Sequence, residues 1–216
     1  MVNKTKLETL YRKYNKKSLV SPDPLQFLYD YEAVQDREIA ALIAACFAYG
    51  NVKHVIKTVD RILKTTGAPY NYLRHSTRQE MKQTFKTFKY RFTTSGQLVN
   101  LLTAIQNIVR KYGSLENCFL AYYDESHENV ATALNGFAKE LRAHGEVGTL
   151  VPDPDKKSAL KRLNLFLRWM VRCDEVDPGG WHQVKKEHLI MKYMLQTIGY
   201  RQLKRFSKWK NKAISI

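Results

Sequence analysis

Apolar positions along the chain recur at steps of three and four over most of its length, the spacing of one buried helix face. Asp23-Pro24 reads as a cap followed by proline at the first helical position, opening the segment DPLQFLYDY. Ile39–Tyr49 (IAALIAACFAY) is apolar on most sides and predicts a central, buried helix that Gly50 ends. Asn51 can cap the next helix, with Val52, Val55, Ile56, Val59, Ile62 and Leu63 on one face and Gly67 as its stop. Ser95 is placed to cap a helix whose face is Leu98, Leu101, Leu102, Ile105, Ile108 and Val109, ending at Gly113. Further helices are expected at about Glu128–Arg142 and at Ser158–Cys173, the latter stopped by the turn VDPGG, with a loop at Val147–Pro154. No strand alternation persists, and Phe92–Gly96 (FTTSG) reads as a turn. The expected fold class is all-α, with seven to nine helices, as one globule or two helical lobes.

Composition narrows the class. Of the 216 residues, 44% are apolar and 12% aromatic, enough for a folded core. No apolar run nears the roughly 18 residues of a membrane span. The N-terminal stretch MVNKTKLETLYRKYNKK is charged throughout, without a hydrophobic signal core, so a cytoplasmic protein with no membrane partner is expected. Three widely separated cysteines, Cys46, Cys118 and Cys173, fit reduced thiols and no zinc knuckle.

Charge changes the picture most. Lys and Arg total 36 against 20 Asp and Glu, a net of +16. Through Val184 there are 27 basic and 19 acidic residues, and from Lys185 onward nine basic and one acidic, so each part carries +8. This divides the chain into a helical domain, 1–184, and a basic tail, 185–216. Such a field favours polyanions.

Two basic stripes stand out on a helical wheel. Arg74, Arg78, Lys82, Lys86 and Lys89 fall within roughly a third of a turn if their segment is one helix, followed by Arg91 in the aromatic-basic string FKTFKYRF. Lys157, Lys161, Arg168 and Arg172 fall within about 60° of one another on the Ser158–Cys173 helix. Like charges at i,i+4 cost on the order of a few tenths of a kcal/mol per pair, which a bound phosphate would relieve. A solvated face is the plainer alternative for each stripe.

Catalytic motifs are sparse. There is no phosphate-binding glycine loop, no H-E-x-x-H and no cysteine pair at zinc spacing, so neither cofactor nor metal is expected. Asp174, Glu175 and Asp177 form an acidic cluster that either serves a site or orders the Asp-Pro-Gly-Gly turn. Glu38, at the start of the most apolar helix, has a structural role by default.

The strings DPLQFLYDY, REIAALIAACFAYGNVKHVIKTVDRIL, GAPY, YRF and SALKRLNLFLRWMVRCDEVDPGGW, in this order, resemble the bacterial family called domain of unknown function 2400, from about Asp23 to Trp181. Its most recognisable block is KRLNLFLRWMVR with VDPGGW behind it, containing Trp169, Asp177 and Trp181 as motif residues and the second basic stripe. The resemblance implies a fold like that of helix-hairpin-helix DNA glycosylases, a fold-level analogy. The family pattern continues with a Pro-Leu-Asp-x-His segment whose Asp resembles the glycosylases' catalytic Asp. Here the chain departs after Met191, and no Asp or Glu follows Glu187. A shifted reading frame or truncation near Met191 and a real tail, helical around Leu195–Trp209, are both open explanations.

Three functions follow. The first is nucleic-acid binding through the two stripes, DNA ahead of RNA, without complete catalytic machinery. The second is a glycosylase or lyase, realised in full-length relatives. The third is a structural protein that binds an acidic partner.

Overall fold

The computed structural model describes residues 4–156 and 158–190. Among them are nine α-helices, and the expected all-α class holds. The order is α1 (Lys4–Tyr14), a 3₁₀ turn (Pro24–Asp30), α2 (Val34–Phe47), α3 (Val52–Thr66), α4 (Pro69–His75), α5 (Arg78–Thr84), β1 (Lys89–Tyr90), β2 (Thr93–Thr94), α6 (Ser95–Tyr112), α7 (Leu115–Leu120), α8 (Ala131–Arg142) and α9 (Lys161–Val171). The buried apolar residues form one continuous core rather than two lobes. No helix among the described residues is long and apolar enough to cross a membrane.

α2 is the axis of the fold. Every residue from Glu38 to Phe47 is buried, and α3, α4, α7, α9 and the Pro24–Asp30 turn pack around it. Ala40, Ala41, Ala44 and Ala45 keep its surface thin, so neighbours approach on all sides. α6 is the second axis, packed against α4, α5, α7 and α8.

Several ends follow the sequence reading. The Asp23 side chain accepts from Leu25 N, and Asn51 accepts from Lys53 N to cap α3. Gly67 and Gly113 close α3 and α6. Three expectations are corrected. The cap of α6 is Thr94, which forms a capping box with Gln97, and Ser95 is already helical. FTTSG is not simply a turn: Thr93–Thr94 pairs antiparallel with Lys89–Tyr90, in the register Lys89↔Thr94 and Tyr90↔Thr93. α9 starts at Lys161, because Leu160 sits at φ +45 and Ser158 Oγ accepts from Leu160 N.

Candidate nucleic-acid interface

The second basic stripe is folded into a clasp. After α9 the chain turns back on itself. Asp174 Oδ1 accepts from Val176 N (2.9 Å) and Asp177 N (3.0 Å), and Asp174 N donates to Asp177 O (3.0 Å). Gly179 N and Trp181 N then bond the Trp169 and Met170 carbonyls at the end of α9. A Cβ on Gly179 would lie 2.8 Å from Arg172 O, so the close return requires glycine. This brings Asp177, with no exposed surface, between two arginines: Arg168 Nε lies 2.9 Å and Arg172 Nε 3.3 Å from its Oδ2. Arg172 Nη2 also reaches Asp174 Oδ2 at 2.5 Å. Burial raises the Asp177 carboxyl above its ordinary value, while the two guanidinium groups pull it down.

This corrects the expectation of one phosphate-facing stripe. Arg168 and Arg172 are engaged with carboxylates of their own chain; Lys161 is exposed, and Lys157 lies outside the described residues. Of the two uses open to the acidic cluster, ordering the turn is the one the hydrogen bonds show for Asp174 and Asp177. The motif tryptophans are structural as well. Trp169 is buried, and Trp181 Nε1 donates to Glu38 Oε2 (3.0 Å) in the core. Glu38 also accepts from Leu115 N (2.8 Å) and Glu116 N (3.2 Å), the first turn of α7. One carboxylate thus ties α2, α7 and the motif together. Burial outweighs these three bonds and pushes its pKa up to about 7.

The first stripe is not one helix. Thr77 opens a new helix through a capping box with Glu80, so Arg74 lies in the last turn of α4 while Arg78 and Lys82 lie on α5 and Lys86 beyond it. All four remain exposed, Arg74 lying over Tyr70 and Arg78 bonded to Asn100. Phe85 and Phe88 are buried and not offered to bases.

A basic surface lies instead between α3 and β1. Burial of Val55, Val59, Ile62 and Leu63 turns Lys53, Lys57, Arg61 and Lys64 outward, within an arc of about 80° at 100° per residue. Lys57, Arg61 and Lys64 line an open depression of about 490 Å³ with Lys89 of β1; Asp60 is the one carboxylate on its wall. Asp60 pairs with Lys64 at 3.0 Å. Among the described residues, Lys57, Arg61 and Lys89 have no ion-pair partner. Arg61 instead rests over the Phe88 ring, 4.9 Å from its centroid, which holds the guanidinium beside the groove. The i,i+4 run Lys53–Lys57–Arg61 is written in the sequence, on the helix whose opposite, strongly apolar face fixes its core role.

The hairpin is fixed to the end of α2. Tyr90 OH donates to Tyr49 O (2.6 Å), and the Tyr49 and Thr93 hydroxyls meet at 2.7 Å. The Tyr49 and Tyr90 rings touch edge to face at 5.1 Å, and Arg162 lies over Tyr49 while donating to Cys46 O. At the tip, Arg91 adopts φ +50, lies against Gly50, and sits 5.7 Å over the ring of Phe92. Among the described residues, no group of three or more His, Cys, Asp or Glu side chains is arranged to hold a metal ion.

Fold and groove together describe an all-α protein with an open cationic depression beside a short hairpin. The chain belongs to the family described as protein of unknown function DUF2400, whose model matches residues 23–197. The matched span contains α3, the hairpin and the whole clasp, and runs through Met191. No curated protein and no solved structure matches the chain. Of the segment read as a basic tail, residues 185–190 pack on the helical body: Leu189 is buried, and His188 O accepts from Val130 N. The departure expected after Met191 is not shown by the family match, and the helix expected around Leu195–Trp209 lies outside the described residues.

Proposed function

We propose that the protein binds nucleic acid by seating phosphates in the groove between α3 and β1. The observation that carries this reading is the convergence of Lys57, Arg61, Lys64 and Lys89 on one open depression with a single carboxylate. Each phosphate neutralised there releases counterions, so binding weakens steeply with salt. The analogy with helix-hairpin-helix DNA glycosylases makes DNA the polymer expected to bind best, and no bond-breaking step is assigned.

The test is fluorescence anisotropy of labelled DNA and RNA oligonucleotides over a salt series, with the full chain and a Lys57→Glu/Lys64→Glu/Lys89→Glu variant. Loss of affinity and a shallower salt slope in the variant are expected. Salt-independent binding in the parent protein overturns the reading. So does unchanged binding in the variant, which would move the contact to another basic segment such as residues 185–216.

A further inference from the structure

Phe92 stands apart from every other large apolar side chain of the described residues: 76% of it is exposed, against 49% for the next, Tyr11. It occupies the two-residue loop of the β1–β2 hairpin with Arg91. Neither residue suits that loop, where Gly, Asn and Asp are preferred, and Arg91 is held at φ +50. A left-handed backbone held at Arg91, in the same two-residue loop as the exposed Phe92 ring, is the kind of local strain that clusters at ligand-contacting sites.

The surroundings specify the ligand. Lys89 shares the groove with Lys57, Arg61 and Lys64, and two residues further on Arg91 lies against Gly50, just before α3. The hairpin therefore meets the groove through Lys89 and Gly50, the residue before Asn51, through Arg91, so that cations lead from the depression to the Arg91–Phe92 tip. The hairpin is anchored at its base, where Tyr90 and Thr93 are bonded to Tyr49. A cationic strip that leads to an exposed aromatic ring has the layout of a single-strand binding surface, phosphates on the cations and a base on the ring. Resting on the groove reading above, we infer that Phe92 is a stacking platform for an unpaired base, with Arg91 orienting its ring, and that the ligand is single-stranded nucleic acid or a strand with an unpaired end.

The experiment uses the full chain, a single-stranded oligonucleotide carrying 2-aminopurine, and a blunt-ended two-stranded duplex of equal charge without a loop. Phe92→Ala should weaken single-strand binding about five- to a hundred-fold, the range expected for loss of one base–aromatic stack. Duplex binding and the salt slope should stay unchanged. Phe92→Trp should restore affinity, and quenching of 2-aminopurine should appear with the parent and Phe92→Trp but not with Phe92→Ala. If Phe92→Ala binds and quenches like the parent while Lys57→Glu/Lys64→Glu/Lys89→Glu loses binding, the platform is refuted and the groove stands. Equal losses on both ligands overturn the unpaired-base assignment in favour of a wedge between paired bases. If the groove variant also binds normally, both readings fall together.

Discussion

Arg168 Nε and Asp177 Oδ2 meet at 2.9 Å, with Asp177 wholly buried and the Arg168 side chain only 12% exposed. That pair decides how the motif KRLNLFLRWMVR…VDPGGW is understood, because it spends on the chain's own fold a charge that looked available to a ligand.

Removing one member of a buried pair leaves the other uncompensated, at a cost of about 3–5 kcal/mol. Asp177→Ala strands Arg168 and removes one of Arg172's two ion pairs, so urea denaturation should show a loss in that range. A loss under about 1 kcal/mol would contradict the clasp. Arg172→Ala should likewise lower stability and leave the salt slope of nucleic-acid binding unchanged, whereas a phosphate-contacting arginine would reduce that slope by about one.

Glu38 makes stability pH-dependent in an unusual direction. Its carboxyl is ordinarily at 4.5 and is raised to about 7 by burial. Between these values the folded protein holds a proton that the unfolded chain has released. Stability is therefore highest below about 4.5 as far as this group is concerned, falls as pH rises, and levels off above about 7. The full change is on the order of 3 kcal/mol. Denaturation at pH 5, 6, 7 and 8 should show this decline in the parent and a flatter profile in Glu38→Gln.

Glu140 acts oppositely. Burial would raise its carboxyl, but hydrogen bonds from Tyr112, Lys111 and Tyr122 win and lower it. Its contribution is present above the ordinary carboxylate value and is lost as pH falls below it. Glu140→Gln should reduce stability at pH 7 and converge on the parent in acid, as followed by thermal melting.

Gly50 has φ +93, and a Cβ there would lie 2.9 Å from Arg91 Nη1 and 3.3 Å from the Tyr90 hydroxyl. Gly50→Ala should cost about 1–3 kcal/mol, backbone strain supplying most of it because Arg91 can swing aside. It should also displace the hairpin tip and weaken single-strand binding. Stability equal to the parent would show that the loop relaxes freely.

Much of the fold was legible because local chemistry wrote it. The helix-period faces of α3 and α6, the Asp23 and Asn51 caps, and the stops at Gly67 and Gly113 each depend on residues within a turn or two of one another. The break between α4 and α5 was also legible in Thr77-x-x-Glu80, but the regular spacing of cations across it suggested one continuous helix. The hairpin is not legible in the sequence because two-residue strands are too short to show an alternating period.

The sequence by itself determined the helical class, the buried character of α2 and the excess of positive charge, since periodicity and composition are properties of neighbours along a chain. Which charges face solvent was decided only by tertiary structure. Asp177 reaches Arg168 through a folded-back turn, Glu38 reaches Trp181 from another helix, and Lys89 joins Lys57 and Arg61 across two elements. Coulomb energy and desolvation depend on distance in space, and a helical wheel carries no information about what lies opposite it.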